Sequence, residues 1–143
     1  MTDAVTRLSP AEAHTKMKDE GFVYVDVRTE EEFAAGHPEG AYNVPLMLAG
    51  AAGMTPNEAF LEVMERVFEK SAPIVVGCKL GGRSLRAAKA LLASGFTRVV
   101  DQRAGWDGAR GAFGELVEPG WSRCGLPAGS GAPEGRAYAS LRG

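Results

Sequence analysis

The chain has almost no cysteine: Cys78 and Cys124 are the two in 143 residues. That excludes a disulfide framework, and their separation excludes a Cys-x-x-Cys metal knuckle. Long apolar runs are missing as well. No stretch approaches the roughly 18 residues that cross a membrane, and the opening "MTDAVTRLSP" holds no apolar export signal. Positive charge is not in excess, with 16 Lys and Arg against 18 Asp and Glu for a formal charge of −2. With no basic run either, neither a nucleic acid nor a membrane surface is an expected partner. A reducing compartment fits, the cytoplasm or, with a transit segment removed, an organelle interior. There a cysteine is either inert core or a reactive thiolate.

What is present describes a globular domain. Apolar residues make up 45% and charged residues 24% of the chain, the usage of a folded soluble protein. The length suits one domain with a real core. "SPAE" (Ser9 to Glu12) has an N-cap Ser, Pro at the first helical position and Glu two residues on, which predicts a helix stopped by Gly21. "FVYVDV" (22–27) predicts a strand. "TEEEF" (29–33) repeats the capping spacing, and Gly36 ends the short helix it opens. Glu30 to Glu32 then supply negative charge at that helix's start. "AYNVP" reads as a short strand and "LMLAGAAGMTP" as a loop of small residues.

The next stretch, "NEAFLEVMERVFEK", is expected to bury Phe60, Leu61, Met64, Val67 and Phe68 on one helical face. "PIVVG" is a short apolar strand of the kind covered on both faces. "SLRAAKALLASG" is a helix from about Ser84 with Gly95 as its stop, and "TRVVD" is a further strand. Strands alternating with helices predict an α/β fold with a mostly parallel sheet and helices on both faces. The expected domain covers 1–128. The Gly-, Pro-, Ala- and Ser-rich end, 129–143, reads as a flexible tail.

Chemistry concentrates in "CKLGGR". In an open α/β sheet, ligands bind beyond the carboxyl ends of the strands, and Cys78 follows "PIVVG" at that edge. Gly81 and Gly82 let the backbone curl, and a curl feeding a helix aims amide N–H groups at one point. The helix N-terminus adds partial positive charge, and Lys79 and Arg83 add full charges. Such a field favours a thiolate, so Cys78 is expected to be a nucleophile. The alternative is a small core residue at a strand end. A thiol sealed from solvent, or one that titrates like any free cysteine, would favour that alternative.

"CKLGGRS" resembles the active-site loop of rhodanese-homology domains, a Cys-x-x-Gly-x-Arg pattern. "VDVRTEEEFAAGHPEGAYNVP" (25–45) is similar to the same family's N-terminal signature, and the resemblance covers about residues 8–105. It implies a central sheet of about five strands. It also implies sulfur transfer from thiosulfate or a similar sulfane donor, through a Cys78 persulfide, to cyanide or a thiol. 3-Mercaptopyruvate and glutathione persulfide are alternative donors, and thioredoxin and glutathione are the implied thiol acceptors. The chemistry so implied needs no metal and no organic cofactor. Leu80, Gly81, Gly82 and Arg83 would offer amides to the charged sulfur, while Lys79 and Arg83 attract the anionic donor. Asp26 and Arg28 would form a charged network holding neighbouring loops.

Other residues have duller expected roles. His37 is read as a hydrogen-bonded structural residue and His14 as solvated. Trp106 and Trp121 are read as core packing. Cys124 is read as a plain free thiol in preference to a resolving partner of Cys78. The sequence departs from the family's usual ending by an insertion near 107–122, "DGARGAFGELVEPGW", which could form part of a pocket wall.

Three rivals are set against sulfur transfer. Cysteine phosphatases place five residues between Cys and Arg, and here four intervene, a smaller ring that suits a single sulfur better than a tetrahedral phosphate. Arsenate reductases usually need further relay cysteines. A persulfide carrier or regulatory interaction domain of this architecture would look the same in sequence while turning over slowly.

Overall fold

The computed structural model describes residues 5–143. In chain order the first half comprises β1 (Arg7–Leu8), α1 (Pro10–Glu20), β2 (Val23–Asp26), α2 (Glu30–Ala35), β3 (His37–Pro38), β4 (Tyr42–Asn43), β5 (Met47–Gly50), β6 (Gly53–Pro56) and α3 (Phe60–Val67). The second half comprises β7 (Ile74–Gly77), α4 (Gly82–Ala93), β8 (Val99–Gln102), β9 (Gly108–Arg110), β10 (Leu116–Pro119), a 3-10 turn (Trp121–Arg123), β11 (Ala128–Gly129) and α5 (Tyr138–Leu141). Among the described residues, no helix is long and apolar enough to cross a membrane.

Five strands form the central sheet in the order β1-β8-β7-β2-β4, and every pairing is parallel. The α/β expectation of about five strands with helices on both faces is met. Side chains alternate across this sheet, as strand geometry requires. Ile74 and Val76 of β7 join Val25 of β2 and pack with Phe60, Val63 and Met64 of α3 and Ala87, Ala88 and Leu91 of α4. Val75 and Tyr24 face the other way, against Ala13 of α1, Phe33 of α2 and Trp121. Each such fully buried aliphatic side chain contributes about 1.5–3 kcal/mol.

Both predicted capping boxes form. Ser9 accepts from the Glu12 amide, Thr29 accepts from that of Glu32, and each Glu returns to its cap's N–H. Gly21 closes α1 in the left-handed region with φ +71°, where a side chain would be disfavoured.

The structure departs from the sequence reading at several points. The stretch expected as a loop folds back as the antiparallel hairpin β5–β6. In α3 the buried residues are Phe60, Val63 and Met64, while Leu61 is exposed. The series i, i+3, i+4 counted from Phe60 selects Val63 over Leu61. Helix α4 starts at Gly82, two residues before the expected Ser84.

The end of the chain is the largest departure. Residues 129–143, read as a loose tail, pack onto the domain. Strand β11 pairs with β3, the Gly131 amide donates to Ala34 O at 2.8 Å, and Arg136 O accepts from the Asn43 amide at 2.8 Å. Tyr138 is buried in the α3/α4 core, and its hydroxyl accepts from Asn57 Nδ2 at 3.1 Å. One aromatic anchor and a few backbone bonds hold a segment whose composition looks unstructured.

Candidate active site

Three neighbouring strands end at one edge of the sheet. β7 delivers Cys78, β2 delivers Asp26 and Arg28, and β8 delivers Asp101 and the turn at 103–107. The Cys78 sulfur accepts the Gly81 N–H at 3.1 Å and lies 3.4 Å from the Ser84 hydroxyl. Gly81 has φ +103°, and a Cβ there would collide with the Arg103 carbonyl oxygen. Gly105, at φ +65°, would collide in the same way with the carbonyls of Cys78 and Lys79. Only glycine lets the two turns approach this closely. The Trp106 and Asp107 amides donate to Cys78 O and Lys79 O at 2.7 and 3.0 Å and clamp the loop's first residues.

Two expectations for this loop need correction. Cys78 is 2% exposed and belongs to the core cluster beneath α4, so it is not the open nucleophile expected. Its chain neighbours Lys79, Leu80 and Gly82 face solvent. Burial counts toward the core reading of Cys78, and the Gly81 N–H on its sulfur counts toward the nucleophile. Of the amides at 80–83, that of Gly81 bonds the sulfur in this conformation.

Arg83 is the second correction. It was expected as a free charge for the donor, and it is clasped by both oxygens of Glu32, at 2.8 and 3.1 Å. Burial pulls the Arg83 pKa down. The Glu32 hydrogen bonds and charge, with the Cys78 sulfur and Asp26 behind them, outweigh that and raise it. Burial likewise pushes Glu32 up, but bonds from Arg83 and the Thr29 backbone bring it down to about 2. Lys79 stays the more available cation, half-exposed and 3.8 Å from Asp107, a separation that holds little energy in water.

Asp26 and Arg28 do form a buried clasp. The carboxylate takes bonds from the Arg28 amide, Nε and Nη2 at 2.7–3.1 Å. Nη2 also donates to Gly36 O at 2.5 Å. Asn43 Nδ2 donates to the carbonyls of both Asp26 and Arg28, and Trp106 lies 5.2 Å from the guanidinium. The loops after β2, α2 and β8 are thus tied together.

His37 is buried, with Nδ1 2.7 Å from Phe33 O and its ring stacked on Phe33. His14 is half-buried against the edge of Trp121, 5.8 Å between centroids, and not solvated as expected. Cys78 and Cys124 are both free thiols. Burial, with Glu118, raises the Cys124 pKa.

Three polar residues at this edge were missed by the sequence reading. Ser84 and Asp101 are fully buried, and Arg7 Nε meets Asp101 Oδ2 at 2.5 Å. Arg7 Nη2 also donates to Gly81 O at 2.9 Å, pinning β1 to the loop. The available signal was an acidic residue directly after the apolar pair Val99 and Val100 in "VVDQ", since buried charge requires a partner. The insertion forms the hairpin β9–β10. It walls a cleft of about 380 Å³ bordered by Arg7, Leu80, Gly81, Arg103, Arg110 and Val117.

A family model described as the rhodanese-like domain matches residues 9–112. The chain belongs to the rhodanese-like family. It is 45% identical over 107 residues to thiosulfate sulfurtransferase 16, chloroplastic, of Arabidopsis thaliana, covering 75% of this chain and 79% of that protein. It is 36% identical over 106 residues to thiosulfate sulfurtransferase 18 of the same plant, covering 73% and 77%. The senescence-associated protein DIN1 of Raphanus sativus is 40% identical over 97 residues, 68% of this chain, and the match spans 53% of its length. Among solved structures, Rv0390 from M. tuberculosis superposes with a TM-score of 0.72 at 27% identity, covering 89% of this chain and 98% of that one. The family is one of rhodanese-like sulfurtransferases.

Proposed function

We propose that this chain moves a sulfane sulfur from thiosulfate, or a similar small anionic donor, through a persulfide on Cys78 to cyanide or a thiol. The observation that carries the reading is the seat of the Cys78 sulfur. It accepts the Gly81 N–H at 3.1 Å beside the first turn of the 12-residue helix α4. An amide donor and a helix N-terminus both favour negative charge on sulfur. Two Arabidopsis relatives named thiosulfate sulfurtransferases support thiosulfate as the donor.

In the first half-reaction the Cys78 thiolate attacks the outer sulfur of thiosulfate. A Cys78 S–S bond forms, the donor's own S–S bond breaks, and its electron pair leaves on sulfite. In the second half, cyanide or a thiolate takes the outer sulfur and the Cys78 thiolate returns. Charge and electrons balance without an added reductant or proton. Lys79 draws the dianion toward the loop, and Glu32 with Arg83 fixes the loop's far end. Because the sulfur is covered, residues 79–82 must part for the donor to reach it. Reduced thioredoxin and glutathione are suitable thiol acceptors, in the cytoplasm or an organelle interior.

Thiocyanate formation from thiosulfate and cyanide tests the reading. The wild type should turn over, and Cys78→Ser should fall to the uncatalysed background. Undiminished turnover in Cys78→Ser would assign the reaction elsewhere. The covered sulfur also suits a dedicated carrier, which would load fully with sulfur yet recycle slowly with cyanide.

A further inference from the structure

Gly81 is held at both of its ends. Its N–H donates to the Cys78 sulfur at 3.1 Å, and its carbonyl accepts from Arg7 Nη2 at 2.9 Å. The Ser84 hydroxyl also reaches that carbonyl, at 3.3 Å. A glycine left to itself turns freely about both backbone bonds, and at φ +103° this one has no side chain for packing to grip. Arg7 is the opposite, a planar guanidinium whose donors form a rigid fork. Its Nε meets Asp101 Oδ2 at 2.5 Å while Nη2 reaches the loop. Arg7 and Asp101 are register partners in β1 and β8, and Arg103 Nη1 donates to the Arg7 carbonyl at 3.2 Å. The arginine is therefore anchored to the sheet on one side and grips the loop on the other.

We infer that Arg7 is a positioning residue for sulfur transfer: by fixing the Gly81 carbonyl it keeps the Gly81 N–H aimed at Cys78. This rests on Cys78 being the sulfur-bearing nucleophile. Charge on that sulfur changes during the reaction. In loading, the thiolate bonds the donor's outer sulfur, the donor's S–S bond breaks toward sulfite, and negative charge leaves Cys78 Sγ for the new terminal sulfur. In release, cyanide or a thiolate takes the terminal sulfur, the Cys78 S–S bond breaks, and its electron pair returns to Sγ. An N–H held on Sγ is therefore a stronger bond in the transition state of release than in the persulfide, which is the condition for lowering a barrier. Loading gains no such advantage. Arg7 acts through Gly81.

The other arginines of this edge are engaged elsewhere. Arg28 closes on Asp26, Arg83 on Glu32 and Arg103 on Glu118. Among the described residues, Arg7 is the one charged side chain that bonds a carbonyl of residues 78–82. It also precedes the segment, 9–112, that the family model matches. The grip thus belongs to this chain's β1 and to neither of the two motifs.

Arg7→Lys separates the anchor from the grip, because one ammonium can stay with Asp101 but cannot span both partners as the guanidinium does. Amide hydrogen exchange, read by NMR with no substrate present, should find the Gly81 amide exchanging about tenfold faster in the variant, with β7 and β8 protected as before. Rapid mixing of thiosulfate-loaded protein with cyanide should find release slowed about tenfold. That is less than removal of an oxyanion donor costs, since the amide is loosened and not lost. Loading by thiosulfate should change by less than release. If urea unfolding shows Arg7→Lys to be unfolded, Arg7→Met combined with Asp101→Asn, which leaves no charge unpaired, takes its place. An unchanged Gly81 exchange rate, an unchanged release rate, or equal slowing of loading and release would overturn the positioning role. A wild type that takes up no sulfur would sink the sulfur-transfer reading and this role with it, while the exchange rate separately shows whether Arg7 holds Gly81.

Discussion

Asp26 and Asp101 stand at the ends of the two strands that flank β7, one on either side of the strand that delivers Cys78. Their surroundings differ. Asp26 is bonded at both oxygens by Arg28, two residues away, through amide and guanidinium. Asp101 meets its arginine, Arg7, from 94 residues away at one oxygen and leaves the other unpaired. A carboxylate whose lone pairs are all engaged can only hold neighbouring groups in place. One with a free oxygen can also take a proton. The first is a clasp for three loops; the second holds Arg7 of β1 to the end of β8.

The largest effect expected from breaking this comparison is in stability. Arg28→Ala leaves the Asp26 charge buried without its partner and should cost about 3–5 kcal/mol in urea unfolding. Asp101→Asn removes a charge that is already half-orphaned. The lost Arg7 bond is offset by relief from desolvation, and the net cost should be about 1 kcal/mol or less. Equal losses in the two variants would erase the distinction between the saturated carboxylate and the half-paired one.

Acid titration should separate the edge carboxylates by sign. Glu32 has its folded pKa lowered to about 2 from 4.5, so its contribution is present above about 4.5 and is lost as pH falls toward 2. Asp101 has its folded pKa raised above 3.8, so its contribution is present below 3.8 and is lost as pH rises through the folded value. Glu32→Gln should therefore flatten the acid limb of a stability–pH curve, and Asp101→Asn should steepen it. Chemical denaturation at a series of pH values measures both slopes.

The smallest effect belongs to the exposed side of the loop. Lys79→Ala breaks a solvent-exposed pair with Asp107 at 3.8 Å and should change stability by no more than about 0.5 kcal/mol. If Lys79 steers the donor, the same variant raises KM for thiosulfate with kcat nearly unchanged, and the effect fades with added salt.

Much of this edge was legible in the sequence because its signals are local. "SPAE" and "TEEEF" carry their caps within four residues. "PIVVG" announces a doubly covered strand, and "CKLGGR" places sulfur, glycines and a helix start in one short run. The missed features depend on residues far apart in the chain. Nothing near Arg7 predicts Asp101, and nothing near Arg83 predicts that Glu32 will neutralise it. The packed end was hidden for a similar reason: Tyr138 finds Asn57 across 81 positions, while the Gly- and Pro-rich spacing around it gives no periodic signal. Leu61 shows the limit of periodicity itself, since two adjacent apolar residues leave the buried face undecided until the helix is seated.

The account stands or falls on the sulfur of Cys78 carrying cargo. Intact mass after incubation with thiosulfate, followed by removal of excess donor, reads this directly. The wild type should gain the mass of a single sulfur atom and lose it on adding cyanide, while Cys78→Ser gains nothing. An unchanged wild-type mass, or the same gain in both proteins, would contradict it.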